Sequence, residues 1–130
     1  MVRDTLAQLI TALKNGGAAG KANVTVPHSR VNESVLQLLV REGYLESYAR
    51  RNKKGAKQFD VTLKYVDGGH AIHDTKRVSR SSRRIYRGFR NLYPYKQGKG
   101  LRLISSPAGI LTDREARKRR LGGEVLMEVW

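Results

Sequence analysis

The chain has 130 residues, enough for one ordinary domain or two small lobes that share a core. It carries 26 Lys and Arg against 11 Asp and Glu, a net charge of +15, and 39% of its residues are hydrophobic. This hydrophobic fraction excludes a disordered basic tail, and the absence of Cys excludes disulfide scaffolds, zinc ribbons and thiol nucleophiles.

The first half of the chain alternates between helical and strand patterns. After a capping Asp4, a helix is predicted by apolar residues at helical spacing: Leu6, Leu9, Ile10 and Leu13. A short strand over residues 22–26 follows and ends at Pro27. Ser29 then caps a second helix that Gly43 ends, with its apolar face formed by Val31, Val35, Leu38 and Leu39.

Two paired strands complete this half. They are predicted over residues 44–48 and 59–66, on either side of a basic loop at residues 50–57. In the second strand the side chains that point one way are Phe59, Val61, Leu63 and Tyr65. The order α-β-α-β-β defines an N-terminal lobe, residues 1–66, in which two helices cover one face of a small sheet.

The second half reads as mostly strand. Strands are predicted over residues 71–78, 83–86, 101–104 and 125–130, with a helical turn at residues 89–93 and a tight turn at residues 105–109. Thr112 and Glu115 form a capping box that begins one short basic helix, which Gly122 and Gly123 end. The expectation is an α+β fold with a second, β-rich lobe over residues 67–130.

The sequence contains no set of residues with the spacing expected of a catalytic or metal site. His70 and His73 would face opposite sides of a strand and have no third ligand nearby, and no phosphate-loop pattern occurs. Asp113, Glu115 and Glu124 each have a structural interpretation as a cap, a capping box or a turn partner. We therefore expect no catalysis, no metal, no cofactor and no small-molecule substrate. No apolar stretch is long enough for a membrane helix, so we expect no membrane partner.

The excess positive charge is concentrated in the second part of the chain. Residues 1–74 carry a net charge of +4 and residues 75–130 carry +11. Between residues 76 and 90, basic side chains surround Ser79, Ser81 and Ser82. The aromatic residues that interleave with this basic run and follow it are Tyr86, Phe89, Tyr93 and Tyr95. Cations neutralise phosphates, and short hydroxyls approach a sugar–phosphate backbone closely, so this composition favours a nucleic-acid partner. Tyr86 fits base stacking and core packing equally well.

A second basic cluster lies on the short helix. Arg114 precedes the run at residues 117–120, and these side chains spread around most of the helix circumference. They fit either a solvated helix or a phosphate contact.

The segment from Thr112 to Val125, with Trp130 at the end, strongly resembles the C-terminal signature of the small-subunit ribosomal protein eight family in its bacterial and organellar form. Residues 77–80 and 84–86 resemble the central strand of the family. Ser105, Ser106 and Gly109 match its conserved turn, and the N-terminal lobe aligns as well, so the resemblance covers essentially the whole chain.

The resemblance implies a non-enzymatic protein that binds the central domain of small-subunit rRNA and supports its folding and subunit assembly. It implies an rRNA-binding surface on the C-terminal lobe that comprises Arg84, Tyr86, Ser105, Ser106, Gly109, Thr112, Arg119, Arg120, Gly122, Gly123 and Glu124. Glu124 either accepts from a base amino group or stabilises a turn. A secondary rRNA contact on the N-terminal lobe comprises Thr11, Asn15, Lys21, Ser29 and Arg30. Neighbouring small-subunit proteins are the other expected partners, in a bacterial cytoplasm or an organelle matrix or stroma.

The chain departs from the family pattern at several positions. Pro107 and Ala108 replace a hydroxyl and a cation in the turn, Ser81 and Ser82 stand where Pro-Gly is usual, and Ala12 replaces an Arg. Residues 89–100 align poorly. The alternative function is a non-ribosomal basic module that binds nucleic acid, or an anionic membrane, without sequence preference.

Overall fold

The protein forms two compact units that divide between His73 and Asp74 in a computed structural model describing residues 4–80, 82–92 and 100–130. Each unit contains both helix and antiparallel strand, which confirms the predicted α+β fold. The division lies beyond the sequence boundary at residue 66. A small hairpin of β4 (Tyr65–Val66) and β5 (Gly69–His70) stays with the first unit, where Tyr65 contacts Lys21 and His70 contacts Gly17.

The first unit has the predicted order α-β-α-β-β. Its elements are α1 (Thr5–Ala18), β1 (Asn23–Pro27), α2 (Arg30–Arg41), β2 (Leu45–Lys53) and β3 (Ala56–Leu63). The strands form an antiparallel sheet in the order β1-β3-β2. Phe59, Val61 and Leu63 point to the helical side and are buried there, as the alternation predicted.

The buried face of α2 differs from the predicted one at its start. Val31 is 41% exposed, whereas Asn32 is completely buried and its side-chain amide donates to the carbonyls of Thr5 and Pro27. The buried residues are Asn32, Val35, Leu36, Leu38 and Leu39, so Val35, Leu38 and Leu39 are buried as predicted, and Asn32 takes the place expected for Val31. A pattern that counts only apolar residues misses Asn32 because this residue is polar.

The prediction of a basic loop at residues 50–57 is wrong. These residues extend β2 and β3, which stay paired to Lys53 and Ala56 and are joined by a two-residue turn at Lys54 and Gly55. Both turn residues have positive φ, 52° and 77°, as the tight hairpin turn that matches strand twist requires. Propensity predicted a loop because Lys, Asn and Gly are poor strand formers.

The predicted alignment of Tyr65 with Phe59, Val61 and Leu63 is also wrong. The strand stops at Leu63, and Tyr65 begins the β4–β5 hairpin, where its hydroxyl donates to the carbonyl of Lys21 over 2.5 Å. Tyr65 is 38% exposed rather than buried.

His70 couples this hairpin to α1. Its ring lies against Gly17, and its Nδ1 lies 3.0 Å from the carbonyl of Ile72, so Nδ1 carries the proton of the neutral ring. Burial lowers the pKa of His70 below its usual 6.5; the Ile72 hydrogen bond opposes this shift and the nearby His73 adds to it. The folded protein therefore takes up the second ring proton, at Nε2, less readily than the unfolded chain does.

Stability is accordingly expected to decline as pH falls below about 6.5, because protonation then favours the unfolded chain. Thermal melts at about pH 7.5 and about pH 5 measure this decline. His70→Gln should make it smaller because the titrating ring is then absent. Equal declines in wild type and His70→Gln would contradict the assignment.

The second unit is mostly strand, as predicted. Its elements are β6 (Thr75–Arg77), β7 (Tyr86–Arg87), a 3-10 turn (Phe89–Asn91), β8 (Leu101–Ser106), β9 (Gly109–Thr112), α3 (Asp113–Lys118) and β10 (Gly123–Val129). The antiparallel sheet has the order β6-β10-β8-β9, and β7 pairs with β10 beyond β6. Leu92, Ile104, Ala116 and Val125 form a buried cluster, against which Val78 packs.

Two predicted strands are shorter than expected. Only Thr75–Arg77 of residues 71–78 is strand, so His73 is not on a strand opposite His70. Only Tyr86 of residues 83–86 lies in a strand, and Arg83 forms an isolated bridge with Arg80. Both segments are edge pieces that depend on β10 for their backbone hydrogen bonds, a dependence that local patterns do not contain.

A β-bulge at Leu126 interrupts the otherwise regular pairing of β10 with β8. Before it, Glu124 pairs with Ser105 and Val125 with Ile104; after it, Met127 pairs with Leu103 and Glu128 with Arg102. Since directly paired residues share a face, Glu124 lies on the same face as Met127, and Val125 on the same face as Glu128. Each face of this sheet is thus polar along one half and apolar along the other.

Candidate nucleic-acid interface

The register of the second sheet brings three distant residues into one row. Glu124 of β10 pairs with Tyr86 of β7 on one side and with Ser105 of β8 on the other. The three side chains therefore share a face, opposite to the face on which Ile104 and Val125 are buried. Tyr86 is 64% exposed, so of its two possible roles the structure excludes the core role. We call this row, with Arg84, the polar row.

Charge in the polar row is partly balanced. The Arg84 guanidinium donates from Nη1 to Oε1 of Glu124 over 3.3 Å, with the arginine side chain 57% exposed and the carboxylate 14% exposed. The carboxylate thus has the structural role of orienting Arg84, while its Oε2 accepts no hydrogen bond from any described residue. An exposed ion pair of this kind adds little stability, so Arg84 can exchange it for a phosphate at small cost.

Gly122 and Gly123 let the strands around the polar row approach closely. A Cβ at Gly122 would lie 2.6 Å from the carbonyl oxygen of Arg87, and one at Gly123 would overlap the carbonyl oxygen of Ser105. Both obstacles are backbone atoms, which cannot rotate away. These glycines therefore shape the surface and contribute no side chain to it.

The turn next to the row is held by one of its two serines. The Ser106 hydroxyl donates to the carbonyl of Gly109 over 2.8 Å and accepts from the amide of Ala108 over 3.2 Å. Gly109 has a φ of 111°, a conformation that side-chain-bearing residues rarely adopt. The Ser105 hydroxyl makes no hydrogen bond to the described residues, so it is the one available to a ligand.

Thr112 shapes the site from the interior. It is 2% exposed, and its hydroxyl accepts from the amide of Glu115, whose carboxylate accepts from the amide of Thr112 in return. The predicted capping box is confirmed.

In the basic cluster of α3, which comprises Arg114 and residues 117–120, Arg117 bonds to other parts of the protein. Its Nη1 donates to the Leu92 carbonyl over 2.6 Å and to Asp113 over 3.0 Å, so it ties α3 to the 3-10 turn. Both predicted roles, a solvated side chain and a phosphate contact, are therefore excluded for Arg117.

Arg119 and Arg120 end α3 as exposed cations. The amide of Arg120 donates to the carbonyl of Arg117 and that of Leu121 to Ala116, which is the Schellman pattern of helix ends. Arg120 occupies the position usually taken by glycine, with a φ of 55°. Neither arginine side chain has a hydrogen-bond or ion-pair partner among the described residues, so both are available to phosphates.

Ser79 has a role that the sequence reasoning missed. It was grouped with surface hydroxyls, but it is fully buried, and its hydroxyl accepts from the amide of Ile85 over 2.8 Å and donates to the carbonyl of Ile85 over 3.3 Å. It closes the loop that carries Arg84 and Tyr86. No local pattern in the sequence distinguishes this buried serine from an exposed one.

The residues of the predicted secondary contact lie in two groups. Ser29 caps α2 and accepts from the Thr5 hydroxyl, which places it and Arg30 beside the start of α1. Asn15 and Lys21 lie near the other end, roughly 15 Å along the helix axis. Thr11 and Asn15 share an exposed side of α1. The secondary contact stays a prediction.

Several predicted features lie outside the described residues: Ser81, Tyr93 and Tyr95. Within the described ranges, no group of three His, Asp or Glu side chains is placed to hold a metal ion. None of the helices in those ranges has the length and apolar character that crossing a bilayer requires.

Fold and site together define a small basic α+β protein whose second sheet carries a partly exposed row of hydroxyl, aromatic and charged groups, with two exposed arginines at the end of α3. Residues 4–130 match the family model described as ribosomal protein S8. The chain therefore belongs to the ribosomal protein S8 family, which is not a class of enzymes.

Relatives of nearly equal length support this assignment. The chain is 42% identical over 127 residues to the small ribosomal subunit protein uS8 of Zymomonas mobilis, covering 98% of this chain and 97% of that protein. It is 40% identical over 136 aligned residues to the protein of the same name from Persephonella marina, covering both chains fully. It is 40% identical over 127 residues to the one from Rhizorhabdus wittichii, covering 98% of this chain and 97% of that protein.

Proposed function

We propose that this protein is a structural constituent of the small ribosomal subunit that binds the central domain of small-subunit rRNA and supports its folding and subunit assembly. The observation that carries the proposal is the polar row. Three residues far apart in sequence, Tyr86, Ser105 and Glu124, share one face of the sheet, and the buried cluster packs on the other. The relatives' names, all of small-subunit proteins, favour the same role.

Each group in the row has a distinct task in this mechanism. The Tyr86 ring stacks on an unpaired base, and the Ser105 hydroxyl bonds to a ribose or a base edge. Arg84, Arg119 and Arg120 neutralise phosphates, which supplies affinity without sequence choice. Because the row is fixed by strand pairing rather than by a mobile loop, it selects an RNA whose backbone is already bent to match.

The finer elements of the proposal follow from the same row. The residues that contact rRNA are the exposed members of the predicted site, while Thr112, Ser106, Gly122 and Gly123 hold the surface in shape. Neighbouring small-subunit proteins are further partners. The location is the ribosome, in a bacterial cytoplasm or in an organelle matrix or stroma, and the bacterial relatives favour the first.

Binding measurements on two RNAs test the proposal. The wild-type protein should prefer a central-domain fragment over a random duplex of equal length by about 4 kcal/mol or more across a salt titration. Tyr86→Ala with Ser105→Ala should weaken binding to the fragment by about 10- to 100-fold through lost stacking and hydrogen bonding, and change duplex binding less than about twofold.

A matched control removes the same kinds of groups from the first unit. Ser47→Ala with Val66→Ala deletes an exposed hydroxyl and an exposed apolar side chain and should change neither affinity. Equal wild-type affinity for both RNAs at every salt concentration would instead identify a basic module without sequence preference.

A further inference from the structure

We propose that the tip of the β2–β3 hairpin, residues 51–57, is a second RNA-binding surface that holds phosphates without sequence preference. The inference rests on the proposed function because it takes RNA to be the source of these phosphates. It concerns the first unit and none of the residues of the polar row or of the predicted secondary contact. We call residues 51–57 the hairpin tip.

The tip is strongly cationic over a short length. Five of the nine residues from 50 to 58 are Lys or Arg, and none is Asp or Glu. β1 pairs with β3 only as far as Gln58, opposite Pro27. Beyond that point β2 and β3 continue as a two-stranded ribbon, so the tip extends past the sheet that carries it.

Two of these five cations, Arg50 and Arg51, are already paired, whereas Lys54 and Lys57 are not. Arg50 lies 3.0 Å from a Glu33 oxygen and Arg51 lies 3.2 Å from an Asp60 oxygen. Lys54 and Lys57 are exposed and form no hydrogen bond or ion pair with the described residues. The free positive charge therefore faces outward from the end of the hairpin.

The tip is also held in one conformation. Asn52 pairs with Lys57 and Lys53 with Ala56, and the two-residue turn at Lys54 and Gly55 closes the ladder. A ligand that binds there does not have to order a loop, which lowers the entropic cost of binding. A surface that only contacts water would not need a fixed conformation.

The composition of the tip selects the ligand class. Residues 50–58 contain no aromatic side chain to stack on a base, and lysine contacts phosphate as a point charge. They also lack the large apolar or aromatic anchors that protein interfaces use at their centres. RNA phosphates fit these features better than an acidic protein surface does.

A salt titration of RNA binding tests the inference. Lys54→Asn with Lys57→Gln should reduce the slope of log affinity against log salt by about 1.4 to 1.8, the value for two phosphate contacts. Asn tolerates the positive φ of residue 54, so the turn should survive. Lys14→Gln with Lys64→Gln removes the same charge elsewhere in the first unit and should change the slope by less than half as much.

A tethered probe gives a second, independent readout. Because the chain has no Cys, Ala56→Cys introduces a unique thiol at the exposed tip without removing a cation, and an iron chelate attached there cleaves nearby RNA backbone. Cleavage is expected at sites distinct from those produced by the same probe on Ala108→Cys beside the polar row.

The outcomes separate this inference from the proposed function. A slope that both double variants reduce equally, or that neither reduces, overturns the hairpin contact, as does the absence of cleavage from Ala56→Cys. In either case an RNA preference that still depends on Tyr86 and Ser105 leaves the proposed function standing. A wild-type protein that binds no RNA overturns both.

Discussion

Replacing Gly123 with Ala is expected to lower the melting temperature of the protein by roughly 10 °C or more, for a loss of about 2–3 kcal/mol. The added Cβ would overlap the carbonyl oxygen of Ser105 on the neighbouring strand. Relief requires β10 to move away from β8, which breaks the pairing of Glu124 with Ser105. Specific RNA binding should fall along with stability, because the polar row loses its register. Thermal melts and titration with the rRNA fragment measure the two effects.

Gly88→Ala is the matched control for this substitution. A Cβ at Gly88 would meet nothing within 4 Å, and its φ of −72° suits any residue. The change should therefore be neutral or slightly stabilising, by up to about 1 kcal/mol. Equal losses in the two variants would show that the close strand approach at Gly123 has no special importance.

Asp113→Ala is expected to destabilise the second unit by about 2–3 kcal/mol. The Asp113 side chain is buried and accepts from the amide of Arg102 over 3.2 Å and from Arg117 over 3.0 Å. Its removal leaves an amide without a partner and a half-buried guanidinium without a counter-ion. Chemical denaturation followed by far-UV circular dichroism measures the loss.

Arg114→Ala distinguishes this effect from a general weakening of α3. Arg114 is the next residue in the helix, is exposed and makes no hydrogen bond to the described residues. Its substitution should change the unfolding free energy by less than about 0.5 kcal/mol. A loss at Arg114 as large as the loss at Asp113 would contradict the role given to the buried carboxylate.

Local patterns were sufficient to predict where the helices begin and the order of elements in the first unit, but α3 ends at Lys118, before the predicted stop at Gly122 and Gly123, and α1 continues to Ala18. The caps at Asp4, Ser29 and Thr112 all accept the expected backbone hydrogen bonds. Each of these signals acts over three or four residues, so the sequence contains it directly. The errors at Asn32 and at the basic hairpin have a different cause. Tertiary contacts bury the polar Asn32 and hold residues 50–57 as strands, although the local propensities of these residues favour exposure and a loop.

The candidate site could be predicted only as a set of separate residues. Family resemblance named Tyr86, Ser105 and Glu124, but their alignment in one row depends on the pairing of β7, β10 and β8. Ser79 and Arg117 carried the same sequence signal as surface residues and yet are structural. Whether a serine or an arginine faces solvent depends on long-range packing, which periodicity in one segment does not report.

The bulge at Leu126 has a consequence for how the chain tolerates insertions and deletions. Removing this one residue would delete no member of the polar row. Val125 and Met127 would then be consecutive, as their partners Ile104 and Leu103 already are, so Glu124 would keep the face that it shares with Met127 and Val129. A deletion or insertion anywhere else in β10 would instead reverse the facing of one half of the strand, so the bulge is the position in β10 at which a change of length disturbs the ligand-facing surface least.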